Sequence, residues 1–127
     1  MEEKRLIKKA QKAMEKAYAP YSGFRVGACV LTSDGVEFTG CNIENASYGL
    51  TVCAERVAIF KAYSEGKRNI DALAVVADID EPVSPCGACR QVMLELLPNA
   101  LIILSNRDGS KIMRTRPEEL LPYGFKL

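Results

Sequence analysis

The chain of 127 residues carries 17 basic and 16 acidic side chains, a formal net charge of +1, so total charge gives no reason to expect DNA, RNA or an anionic membrane as partner. Its length suits one domain, residues 1–127, and 48% apolar against 26% charged residues is the balance of a globular protein. Histidine is absent. That removes every Ser-His-Asp or Cys-His nucleophile, every imidazole base and every metal site that needs imidazole.

The predicted elements follow in chain order. Leu6, Ile7, Ala10, Ala13, Met14, Ala17 and Tyr18 recur at helical spacing between Lys and Glu residues, an amphipathic first helix that Pro20 ends. Phe24 to Thr32, the turn Ser33-Asp34-Gly35 and Val36 to Cys41 form a hairpin. Asn42 to Val52 shows no period and reads as loop. Cys53 to Ser64 is helical, stopped by Gly66. Ile70 to Ala77 is a nearly unbroken apolar run, the pattern of a central strand covered on both faces. Cys86 to Leu97 is a second such helix, halted by Pro98. Leu101 to Leu104 and Ile112 to Thr115 flank Asn106-Arg107-Asp108-Gly109 as a second hairpin, and Pro117 opens a short helical turn. Together these give an α/β protein, a three-layer α/β/α sandwich on a mixed five-stranded sheet. The amino terminus lacks the apolar core of a signal peptide, and the longest apolar stretch, Ala72 to Ala77, falls far below the ~20 residues needed to span a bilayer. The expected compartment is the cytoplasm, where cysteines stay reduced.

Three of the five cysteines carry the chemistry. In Pro85-Cys86-Gly87-Ala88-Cys89, Ser84 is the expected cap and Pro85 suits the first helical position. Cys86 and Cys89 then share one face at the positive end of the helix dipole, which favours thiolates. Cys53 opens the other helix, with Thr51 as expected cap. Cys-x-x-Cys alone is shared by redox and zinc proteins; the second cluster sharpens the reading. A helix of about thirteen residues travels ~20 Å away from Cys53, and the strand Ile70 to Ala77 returns ~26 Å, so both helix starts meet at one end of the sheet. Three thiolates on Zn²⁺ leave a fourth position for water, as catalytic zinc sites do. Glu55, two residues after Cys53, is placed as the base. Three thiolates on one dication leave about −1, and Arg56 and Arg90 are positioned to donate hydrogen bonds to the sulfurs and offset it. Cys29 and Cys41, on the first hairpin, read as buried small apolar residues.

A ligand-x-Glu followed by Pro-Cys-x-x-Cys is the pattern of zinc deaminases. Around it stand Ala19-Pro20-Tyr21-Ser22 with Phe24, Gly40-Cys41-Asn42-Ile43-Glu44-Asn45-Ala46-Ser47-Tyr48, Cys53-Ala54-Glu55-Arg56, Ser84 through Gln91, and Leu120-Leu121-Pro122 with Phe125. In these motifs the chain closely resembles the small, homotetrameric cytidine deaminases of nucleoside salvage. The resemblance implies one Zn²⁺ per chain on Cys53, Cys86 and Cys89, Glu55 as catalytic acid–base, and a cytidine or 2′-deoxycytidine substrate deaminated by water. It implies that Asn42 and Glu44 bind the ribose, Phe24 packs near the pyrimidine, and the Ala54 N–H and Ser84 carbonyl hold the base. It also implies that Phe125 enters a neighbouring subunit's pocket. The alternatives are a structural zinc module closed by Cys29 or Cys41, a thioredoxin-like redox protein on Cys86 and Cys89, and a deaminase acting on tRNA or on an antibiotic such as blasticidin.

Overall fold

The computed structural model describes residues 2–127. Helix α1 spans Glu2–Met14, and strands β1 (Val26–Thr32) and β2 (Glu37–Cys41) follow as an antiparallel hairpin. Helix α2 (Ala54–Ser64) leads to β3 (Ile70–Ala77), and α3 (Gly87–Leu96) to β4 (Leu101–Ser105). Strand β5 (Ile112–Thr115) and the short α4 (Pro117–Leu120) complete the fold. The strands lie in the order β2-β1-β3-β4-β5, antiparallel throughout except for β3 and β4, which run parallel. The sheet is therefore mixed and five-stranded, as the pattern predicts.

The central position of β3 explains its composition. Leu73 and Val75 face α2 and α3, packing with Ala58, Ile59, Ala62, Met93 and Leu97. Ala74 and Val76 face the other way, against Leu6, Ala10 and Met14 of α1. Side chains alternate along a strand, so only a continuous apolar run satisfies both layers. Each fully buried Leu, Ile or Val contributes about 1.5–3 kcal/mol relative to exposure.

The first helix is shorter than its spacing predicts. It ends at Met14, and Tyr18 leaves it to form a parallel bridge with Ile43. The Tyr18 N–H donates to the Asn42 carbonyl at 3.0 Å and the Glu44 N–H to the Tyr18 carbonyl at 2.8 Å. Backbone pairing with the distant 42–44 segment takes the hydrogen bonds that another helical turn would have used. The predicted 42–52 loop holds a short 3₁₀ turn, Tyr48–Leu50, and an antiparallel bridge between Ile43 and Val52.

Two glycines set the layer spacing. A Cβ on Gly27 would lie 2.0 Å from the Ala10 carbonyl oxygen, and one on Gly40 would lie 2.6 Å from the Ala58 amide nitrogen. The sheet thus touches the backbone of α1 on one face and of α2 on the other. Because these obstacles are main chain, no side-chain rotation relieves them. Gly27→Ala is expected to lower stability by about 3 kcal/mol or more, read as a fall in the urea midpoint with the slope unchanged; a midpoint near wild type would show that α1 can shift.

Candidate metal centre and active-site pocket

Both cysteine-bearing helices begin one residue later than predicted, and this decides where the sulfurs point. Cys53 is itself the N-cap of α2 and Cys86 that of α3; both are extended, and neither side chain caps. Thr51 and Ser84, the expected caps, are engaged elsewhere. Thr51 Oγ1 accepts from the Asn45 N–H at 3.2 Å, and Ser84 Oγ accepts from Arg90 at 2.7 Å. An N-cap side chain ordinarily accepts from the first-turn amides, a task suited to small oxygen residues. With sulfur in that place, the side chain is left to face across the gap between the helices.

The three predicted sulfurs converge. Those of Cys53, Cys86 and Cys89 all lie within 4.8 Å of one another, and Cys53 and Cys86 are 3.7 Å apart. Tetrahedral zinc with bonds of ~2.3 Å requires sulfurs about 3.8 Å apart. Hydrogen bonding from the Cys89 thiol, then Arg56 and Cys86, brings the Cys53 thiol down to about 5, against the opposing cost of burial. The same proton is held more tightly on Cys89, which the Cys53 hydrogen bond and burial push up. Three sulfurs sharing protons in this way are a donor set that a thiophilic dication completes. Arg56 Nη2 donates to Cys53 Sγ at 3.5 Å, while its buried Nε has no protein partner among the described residues. Thus one guanidinium does stand at the sulfurs. Arg90 does not: its Nε, Nη1 and Nη2 donate to the Pro85 carbonyl (2.8 Å), the Leu120 carbonyl (2.8 Å) and Ser84 Oγ (2.7 Å). Its expected bond to sulfur is replaced by three bonds to oxygen, because its side chain wraps back over the helix start.

Glu55, in the first turn of α2, is 4% exposed. Burial pushes its carboxyl up to about 7, with the Cys53 charge adding to the shift and helical backbone hydrogen bonding opposing it. It lines a cavity of about 400 Å³ together with Cys53, Cys86, Phe24, Asn42 and Glu44. The cavity lies where Val26 at the start of β1 pairs with Ala77 at the end of β3. That is the side of an α/β sheet, beyond a strand's carboxyl end, where ligands are expected.

Residues 1–105 match the model of the cytidine and deoxycytidylate deaminase zinc-binding region. The chain belongs to this family. It is 57% identical over 126 residues to a cytidine deaminase of Halalkalibacterium halodurans, covering 98% of this chain and 95% of that one. It is 52% identical over 126 residues to one from Sporosarcina psychrophila, covering 98% and 92%. The fold superimposes on the crystal structure of a cytidine deaminase from Burkholderia pseudomallei with a TM-score of 0.92 at 50% identity, covering 96% of this chain and 98% of that chain. The three sulfurs thus lie inside a matched zinc-binding region, and their spacing fits the ion.

The remaining predicted site residues divide by what they touch. Asn42 is buried: its Oδ1 accepts from the Val26 N–H at 2.9 Å and its Nδ2 donates to the Phe24 carbonyl at 2.7 Å. Glu44 Oε1 accepts from the amides of Tyr21 (2.9 Å) and Ser22 (3.1 Å), and its Oε2 accepts from Ser22 Oγ. These bonds, the Ser22 hydroxyl first, hold the Glu44 carboxyl below its usual value. Each side chain keeps spare capacity, an amide N–H on Asn42 and lone pairs on Glu44 Oε2. Ala54 is the first residue of α2, so its N–H has no partner within the helix, and it lines the cavity with Ser84. Phe125 is absent from that lining and is 69% exposed. Tyr21, Ser22, Tyr48 and Thr51 also line the cavity, although no spacing in the sequence marks them as cavity residues. Ser22 bridges Glu44 and the Phe24 amide (3.0 Å), a link between distant segments that no local spacing signals.

A buried carboxyl that ionises late carries a stability cost of definite sign. Between pH 4.5 and 7 the unfolded chain has released the Glu55 proton while the folded metal-free chain retains it, so stability falls as pH rises. Above 7 the cost is complete, at about 3 kcal/mol. In metal-free protein, the gain in urea midpoint from Glu55→Gln is therefore expected to be larger at pH 8 than at pH 5. An equal gain at both would place the carboxyl in contact with water.

Proposed function

We propose that this chain is a zinc-dependent cytidine deaminase: cytidine or 2′-deoxycytidine and water give uridine or 2′-deoxyuridine and ammonia. The observation that carries the reading is a buried carboxyl, ionising near neutrality, beside three converging sulfurs, two of which line with it a cavity of about 400 Å³. The 57% identical relative, itself a cytidine deaminase, supports it.

Cys53, Cys86 and Cys89 would hold one Zn²⁺ per chain, which when bound supplies the Lewis acidity that makes water nucleophilic at neutral pH. Arg56 offsets the net charge of about −1 that three thiolates leave, preserving that acidity. Glu55 takes one proton from the water that attacks C4 and gives it to N3, then takes the second from the C4 hydroxyl so formed and gives it to the departing amino group, so that the water's two protons end on N3 and on ammonia. A carboxyl near pH 7 is matched to both directions of transfer. The Ala54 N–H donates to the base O2 and the Ser84 carbonyl accepts from the C4 amino group. The Phe24 ring packs on the pyrimidine. The spare N–H of Asn42 and the spare lone pairs of Glu44 bind the ribose hydroxyls. Because both are already fixed by backbone amides and carbonyls, little side-chain freedom is lost on binding.

The same reading makes the chain one domain of a homotetramer, acting in nucleoside salvage in the cytoplasm, with no nucleic-acid partner. Phe125 lies outside the lining of its own cavity, and Tyr48, Leu50 and Tyr123 are 87%, 66% and 105% exposed, apolar surface that a second copy would cover. All five cysteines are free thiols, in keeping with a reducing compartment. No helix among the described residues is long and apolar enough to cross a membrane.

Glu55→Gln is expected to retain one zinc per chain and to lose at least about 10²-fold in kcat, followed by the ultraviolet change on adding cytidine; turnover near the wild-type rate would overturn the acid–base role. Cys29→Ser and Cys41→Ser are each expected to keep the metal. Cys29 is fully buried in the β1 face against α1, its thiol pushed up to about 12 chiefly by burial. Metal loss from either variant would instead identify a fourth ligand and a closed structural site.

A further inference from the structure

The carboxyl-terminal segment is held in one shape by α3, through residues that the chemistry does not use. The chain turns at Tyr123, which adopts a left-handed backbone with φ 58°, unusual for a non-glycine residue. At Gly124 it comes so close to α3 that an added Cβ would lie 2.1 Å from Leu94 Cδ2. One residue later the Gln91 carboxamide brackets the main chain. Its Oε1 accepts from the Phe125 N–H and its Nε2 donates to the Phe125 carbonyl, each at 3.0 Å. Gln91 stands two residues after Cys89, and Arg90 between them bonds the Leu120 carbonyl at 2.8 Å. The Phe125 backbone is therefore fixed while the residue remains 69% exposed.

A ring held outward by two main-chain hydrogen bonds is a prepared anchor. Left free, the terminal residues would have to be ordered at the moment of docking, at a cost in affinity. We propose that Gln91 is a positioning residue that pre-sets Phe125 for insertion into the pocket of a second copy of this chain, acting on substrate binding through Phe125 alone. This rests on the reading of Phe125 given above.

The test is a double-mutant cycle on the zinc-loaded full chain, with KM and kcat for cytidine measured for Gln91→Leu, Phe125→Ala and the pair. Expected are a rise in KM of about tenfold in Gln91→Leu, a rise at least as large in Phe125→Ala, and a double variant no worse than Phe125→Ala alone, with zinc content and melting temperature unchanged. Gly124→Ala provides a second route to the same effect: it pushes the segment off α3 and raises KM, and adding Leu94→Ala reverses the rise. A normal KM in Phe125→Ala would sink the reading of Phe125 and the role of Gln91 with it. An impaired Phe125→Ala beside normal Gln91→Leu and Gly124→Ala would overturn the positioning role alone. Additive effects in the double variant would overturn it too, since Gln91 would then act elsewhere.

Discussion

Three sulfurs brought within 4.8 Å of one another pose an electrostatic problem that the surrounding structure is arranged to answer. As thiolates they repel, and only Cys89 of the three is fully buried. The amino ends of α2 and α3, each with a cysteine at its N-cap position, turn their positive poles toward the sulfurs, and Arg56 adds a full charge. A dication resolves the remainder. The two helix starts share one end of the sheet because β3 returns the chain there after α2 has carried it away. Gly40 lets the backbone of α2 lie against the sheet on that face, as Gly27 does for α1 on the other.

The same corner separates two acids by environment. Cys53, hydrogen-bonded by a thiol and a guanidinium, ionises at about 5, whereas Glu55 two residues on, buried and beside that negative charge, ionises at about 7. Groups pushed apart in this way take different roles: one stays an anion and holds cations, the other can exchange a proton at neutral pH. The Cys53 charge contributes to raising Glu55, so ligand and base are tuned as a pair.

The rim of the cavity is organised by hydrogen bonds between distant segments. Asn42 ties the end of β2 to the start of β1, Glu44 and Ser22 tie the 42–44 bridge to the loop after α1, and Arg90 ties the loop before Cys86 to the end of α4. Asn42, Glu44 and Thr51, which face the cavity, are thus already committed to the backbone and have few conformations left to lose.

What the sequence alone determined is whatever follows from periodicity and residue chemistry. The apolar run of β3 demanded two covering layers, and the lack of histidine left metal binding to thiolate or oxygen. The pairing of Cys53-Ala54-Glu55 with Cys86-Gly87-Ala88-Cys89 pointed to a three-sulfur site beside a carboxylate. Only the tertiary structure decided that Cys53 and Cys86 are the caps themselves, that α1 stops at Met14 so that Tyr18 can pair with Ile43, and that Arg90 serves oxygen while Arg56 serves sulfur. Helix ends and long side chains have several local partners of nearly equal energy. The choice among them is made by segments far away in the chain, which no spacing along the sequence encodes.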